Sequence, residues 1–156
     1  MSGLICGIDP GVSGAVGFLT ERGEYVSVFD MPVYETTTGR RQIDPVELAS
    51  ILMQQRPLRC VLERVNARPG EGAVGAFSFG HSLGVIQGVL GALGFPYELV
   101  QPAVWKRKAG IPPGAGKGAS IATAKQQIPS AAAALTLVKH DGRAEALLLA
   151  RHGLLK

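Results

Sequence analysis

Across residues 99–140 the chain carries no Asp or Glu, although Lys106, Arg107, Lys108, Lys117, Lys125 and Lys139 all fall there. A solvated face of ordinary composition mixes both signs, so a one-signed block of this length points to an anionic partner. The block also holds Trp105, the only Trp, among several Gly and Pro, a composition suited to phosphate contact and hence to nucleic acid. Cysteine is scarce too. Cys6 and Cys60 cannot make a disulfide framework, and no signal-peptide pattern opens the sequence, so a reduced, cytoplasmic protein is expected. If the strands that carry them are neighbours in matching register, both thiols point away from the carboxylates three residues further on and belong to the core. Long apolar runs are missing as well. The longest, residues 77–94, is interrupted by Ser78, His81, Ser82 and Gln87 and is rich in Gly, which argues against a membrane span.

What remains is a chain of 156 residues with a net charge of +4 and a pI near 9.3, a length that suits one domain over residues 1–156 with a substantial core. The run Leu4-Ile5-Cys6-Gly7-Ile8-Asp9 is apolar on both faces, as a central strand requires, and ends in a carboxylate before Pro10 and Gly11 break it. Residues 15–20 and 25–29 supply two more strands at once, making an antiparallel meander. Residues 31–43 turn polar and read as an exposed loop. Asp44-Pro45-Val46-Glu47 is a helix start, with Asp as N-cap and Pro at the first position, and Pro57 ends that helix. Residues 59–63 repeat the opening theme, a short apolar strand closing on Glu63. Strand, helix and strand form a crossover, so this fourth strand runs parallel to the first.

A helix is predicted over residues 76–93, where Gly80, Gly84 and Gly88 recur every four residues. Each Gly costs about 1 kcal/mol of helix propensity, so a close backbone approach is expected on that ridge, either from the sheet of the same chain or from a second subunit. Phe77 and Phe79 read as core. A fifth strand over residues 97–100 follows, then the basic block, a helix over 119–127, an Ala-rich link over 130–134, and a last helix starting near Asp141.

Eight of the twelve acids have ordinary explanations in turns, caps and lone surface positions, leaving Asp9, Glu63, Asp141 and Glu145. Asp9 and Glu63 stand at the carboxyl ends of parallel strands, hence at one edge of the sheet. Asp141 and Glu145 are one helical turn apart. If the last helix packs beside the strand ends, four carboxylates converge. Like charges about 4 Å apart repel by about 4 kcal/mol at an effective dielectric of 20, so the cluster requires cations. All-oxygen ligation selects Mg²⁺ or Mn²⁺, and two such ions can hold a scissile phosphate. Asp141 also fits a plain N-cap, and Glu145 a solvated surface acid.

Gly7-Ile8-Asp9-Pro10-Gly11, Val61-Leu62-Glu63-Arg64-Val65, Val100-Gln101-Pro102-Ala103-Val104-Trp105-Lys106 and the closing stretch from His140 to Ala150 together resemble a RuvC-type Holliday junction resolvase of the phage or phage-derived branch. The resemblance runs through nearly the whole chain in order. It implies a ribonuclease H-like α/β fold, here a mixed five-stranded sheet with the first three strands antiparallel and the rest parallel, flanked by helices. It also implies a homodimer in a bacterial or phage-infected cytoplasm, and Mg²⁺-dependent nicking of four-way DNA junctions. By motif, Asp9 and Glu63 match the first two catalytic acids and Glu145 the last, with Asp141 as the fourth candidate. Lys106, Lys108, Lys117 and Lys125 are the expected DNA contacts. Three features depart from the bacterial pattern: the last two acids are four apart instead of three, Glu145 is a methylene longer than the more usual Asp, and Asn66 stands where an aromatic intrudes at the junction, a place that Phe77 or Phe79 could fill instead. His140 lies close to where some relatives place a water-activating His, out of register. Ribonuclease H action on RNA–DNA hybrid and non-catalytic binding of branched DNA are the alternatives.

Overall fold

The computed structural model describes residues 3–116 and 118–155, so the DNA contact expected at Lys117 lies outside the described residues. Strands β1 (Leu4–Asp9), β2 (Ala15–Thr20) and β3 (Tyr25–Asp30) form the expected meander. Helix α1 (Pro45–Gln55) then carries the chain over to β6 (Arg59–Glu63), which pairs parallel with β1, and β7 (Tyr97–Val100) pairs parallel with β6. The sheet order β3-β2-β1-β6-β7 places the two acid-ended strands side by side at its centre.

Helix α2 (Ala73–Leu93) joins α1 on one face of the sheet. Helices α3 (Pro102–Ala109), α4 (Ala119–Gln127) and α5 (Asp141–Leu154) cover the other. The alternation of β1 explains the division. Cys6 and Ile8 enter the core under α1 and α2 with Cys60 and Leu62, whereas Ile5 enters the core under α5 with Val61. Cys6 faces Cys60 in register, both thiols free and buried away from the carboxylates, and that burial, with Cys60 beside it, pushes the Cys6 thiol up.

α5 is buried along nearly its whole length because the strands beneath it have no side chains in its way. Gly7 and Gly17 are register partners on β1 and β2, and a Cβ at Gly7 would stand 1.9 Å from the Ala146 carbonyl oxygen. Its other anchors are polar. The Arg143 guanidinium donates to both oxygens of Asp30 at the end of β3, at 2.7 and 2.9 Å, and to the Ala134 carbonyl at 3.2 Å; Arg59 of β6 donates to the Gly153 carbonyl.

Asp44 caps α1 as expected, its Oδ1 accepting from the amides of Val46 and Glu47. Three sequence readings need correction, and the start of the basic block, to which the sequence assigns no element, gains one. The loop over 31–43 is a hairpin, β4 (Val33–Glu35) with β5 (Arg41–Ile43), closed by a Gly39 turn and anchored because Met31 and Ile43 reach the core. The start of the basic block is helical, since Pro102 is a good first helical residue and Gly110 ends α3 in the left-handed conformation. Three of the block's cations, Lys106, Arg107 and Lys108, thereby occupy the last turn, where they also complement the helix dipole. The glycine ridge of α2 does not face its own sheet: Ser82, Ile86 and Leu90 do, and nothing lies within 4 Å of a Cβ at Gly80, Gly84 or Gly88. Phe77 and Phe79 are not core, being 70 % and 41 % exposed, with Phe77 stacked on His81. By length and composition α2 could cross a membrane, yet it seats one face in the core formed with α1 and the sheet.

Candidate active site

Two rules of chain geometry bring the first two acids together. Parallel pairing sets Ile8 against Leu62, so Asp9 and Glu63, one residue further along each strand, share the carboxyl edge of the sheet. Glu145 reaches them from the second turn of α5. The first turn of that helix sits directly on the turn that follows β1, and a Cβ at Gly142 would meet the Ser13 carbonyl oxygen at 2.7 Å and Asp9 Oδ2 at 3.3 Å. One carboxylate oxygen from each of Asp9, Glu63 and Glu145 lies within 4.8 Å of the others.

Asp141 stands outside this group of three. It is exposed at the first position of α5, one residue past the cap position, which His140 holds without a capping bond from its side chain. It remains near enough to act on Asp9 and lines the same cavity as Glu145. His140 is buried, with Nδ1 accepting from the Leu137 amide at 3.1 Å, which commits one ring nitrogen to the short 3-10 turn before α5.

The three carboxylates differ in their support. Among the described residues none donates a hydrogen bond to Asp9, and burial, followed by the charges of Glu145, Glu63 and Asp141, holds its carboxyl well above the usual carboxylate range. Glu63 is also raised, mainly by burial and to a smaller degree by Glu145, against the pull of a hydrogen bond from the Trp105 indole. That bond is 2.6 Å long and ends on Oε2. Glu145 Oε1 accepts from the Ser120 hydroxyl at 3.1 Å and has the Lys106 ammonium at 3.7 Å. The contributions of Trp105 and Ser120 were not visible in the sequence. A lone Trp beside Lys106 marks a place of interest, but nothing local says that its N–H reaches a strand 42 residues back.

Beside the carboxylates opens a cavity of about 770 Å³, lined by Lys106 and Arg107 of α3, Ser120 of α4, Asp141 and Glu145 of α5, and the glycine- and proline-rich loop between α3 and α4. Of the expected lysines, Lys106 faces this cavity; Lys108 donates to the Leu155 carbonyl at 2.9 Å, and Lys125 is exposed on α4. A wider depression of about 910 Å³ on the outer side of α1 has Arg56 as its one charged lining residue and no carboxylate.

No family model matches the sequence. Over 82 residues, 53 % of this chain, it is 35 % identical to the chloroplastic Holliday junction resolvase MOC1 of Chlamydomonas reinhardtii, a match that spans 9 % of that much longer protein. A structure of Thermus thermophilus RuvC in complex with Holliday junction substrate superposes over 98 % of this chain and 94 % of its own, with a TM-score of 0.60 at 18 % identity. Another structure of Thermus thermophilus RuvC covers 96 % of each chain, with a TM-score of 0.54 and the same identity. The likeness read from the motifs thus holds at the level of architecture: this chain has the RuvC-type, ribonuclease H-like fold.

Proposed function

We propose that the protein is a metal-dependent endonuclease that nicks branched DNA, resolving four-way junctions by paired, symmetric cuts. The observation that carries this reading is the Asp9 carboxylate, pressed against two others at a strand end and without a hydrogen-bond donor among the described residues. A half-buried carboxylate cluster of this kind is unstable by itself and fits hard divalent cations, its donors being oxygen throughout. Asp9, Glu63 and Glu145 would hold Mg²⁺ or Mn²⁺, with Asp141 able to join from the rim if two ions bind. Such ions activate water and stabilise the leaving oxygen of a phosphodiester. Lys106, at the cavity wall, offers its ammonium to a strand phosphate, with Lys108, Lys117 and Lys125 as further backbone contacts from the basic block. The junction preference finds support in the RuvC architecture and in the resolvase with which this chain shares 35 % identity over its matched half.

The test is incubation of labelled four-way junction, linear duplex and RNA–DNA hybrid with and without Mg²⁺. Nicking is expected at the branch of the junction and only with metal. Hydrolysis confined to the hybrid would make the protein a ribonuclease H, and junction binding without cleavage at any Mg²⁺ or Mn²⁺ concentration would make it a binding protein.

Symmetric cuts need two sites related by a two-fold axis, hence a homodimer. The open face of α2 suits that contact: Gly80, Gly84 and Gly88 leave it flat, and the exposed Phe77 extends it. Light scattering is expected to give twice the monomer mass, and Gly84→Leu to shift the particle towards monomer while it stays folded. A monomeric wild type, free and on junction DNA, would exclude the dimer; a folded Gly84→Leu dimer would exclude this helix as its interface.

A further inference from the structure

The indole of Trp105 meets one acid of the cluster and the lysine that reaches another. Its N–H donates to Glu63 Oε2 at 2.6 Å, and the Lys106 ammonium sits 5.4 Å from its ring centroid on the way to Glu145 Oε1. The ring itself is 1 % exposed, fixed in the core under α5, so it has no freedom to follow a moving partner. A buried indole N–H needs an acceptor, and a main-chain carbonyl serves that need in most cores. Here the acceptor is a carboxylate of the catalytic cluster.

We propose that Trp105 is a positioning residue of the cation site. Its N–H locks Glu63 through Oε2 and leaves Oε1 as the oxygen free for a cation. The proposal rests on the metal-dependent reading above and adds the device that holds the site ready. A neutral donor suits the task better than a cationic one. A Lys or Arg at the same distance would orient Glu63 equally well but would oppose a divalent ion with its own charge. Ser120, itself neutral, donates to Glu145 from α4 at hydrogen-bond distance, closer than the Lys106 ammonium on the same oxygen. Both donors come from the segment that follows the sheet, so α3 and α4 act as a supporting shell around ligands that β6 and α5 supply.

Trp105→Phe keeps the ring and removes the N–H. Mn²⁺ binding, followed by electron paramagnetic resonance of the free ion, is expected to weaken roughly 10–100-fold in this variant, the usual effect of losing a group that orients a metal ligand. Junction affinity measured with chelator should stay unchanged. A wild type that binds no Mn²⁺ would overturn the metal-dependent reading itself. A folded Trp105→Phe protein that binds Mn²⁺ as tightly as wild type would overturn the positioning role and leave that reading standing. Should the variant fail to fold, the wild type still decides. Because Trp105 is the only Trp, Mn²⁺ must quench the protein's indole emission along the same curve that resonance gives. Emission unchanged at saturating Mn²⁺ would overturn the proposal.

Discussion

An Asp9→Asn protein is expected to bind four-way junctions at least as tightly as wild type, to cut none of them, and to melt about 2–4 °C above the metal-free wild type near neutral pH, the shift that about 1 kcal/mol makes in a chain of this size. Loss of cutting follows from removing one of three carboxylates whose oxygens lie within 4.8 Å of one another. The rise in melting temperature follows from the sign of the Asp9 shift. Burial and its acidic neighbours raise this carboxyl well above the value of about 3.9 it has in an unfolded chain, so the folded protein favours the protonated form. That contribution is complete below the ordinary carboxylate range and is lost as pH rises through the raised Asp9 value. Glu63, raised as well, adds to the same trend. Asp30 works in the opposite direction. Arg143 lowers its carboxyl, so its stabilisation is lost as pH falls through that lowered value, which sets the acid limit of the window. Calorimetry of the chelated protein should show wild type losing stability from mildly acid towards neutral pH, and Asp9→Asn showing a flatter profile. Added Mg²⁺ should restore the wild type at neutral pH and leave the variant where it was. A variant that melts lower and no longer binds junctions would make Asp9 a structural residue.

The central sheet and the Asp9–Glu63 pairing were legible because they rest on rules that act locally. An apolar run that ends in an acid and then in Pro-Gly marks a strand end, and a crossover helix fixes the parallel sense of the next strand. Glu145 could be placed beside them by its motif, but its spacing from Asp141 could not rank the two. That ranking depends on how α5 meets the β1 turn, which Gly142 permits by lying against Ser13 and Asp9. The hairpin of β4 and β5 was hidden by its short, largely polar strands, whose alternation carries little apolar signal; Met31, Val33 and Ile43, at its base, fasten it to the core. Trp105, Ser120 and the Arg143–Asp30 pair were illegible for a simpler reason. Each joins residues between 25 and 113 positions apart, and only the folded chain brings them within reach.

The glycines of α2 stand out in the sequence through their period, yet the glycine that seats the last helix on the sheet is Gly7, which has none. Gly7→Ala is expected to destabilise the protein by more than about 4 kcal/mol, or to prevent folding, because the added methyl has no direction in which to relax. It would stand 1.9 Å from the Ala146 carbonyl oxygen and 2.3 Å from the Ala150 amide nitrogen, both main-chain atoms of α5. Relief requires the whole helix to lift from the sheet, breaking the core around Leu147 and Leu149 and carrying Glu145 away from Asp9. Its register partner grades the effect. A Cβ at Gly17 would meet the Leu147 side chain at 2.9 Å and its backbone nitrogen at 3.2 Å, a looser conflict than at Gly7, so Gly17→Ala should cost about 1–3 kcal/mol. On the open face of α2, Gly84→Ala meets nothing and should stabilise the monomer by up to about 1 kcal/mol through helix propensity. Urea unfolding of the three variants should therefore rank them Gly84→Ala, Gly17→Ala, Gly7→Ala from most to least stable. A Gly7→Ala protein as stable as wild type would mean that α5 does not rest on β1, and the placement of Glu145 in the acidic cluster would fall with it.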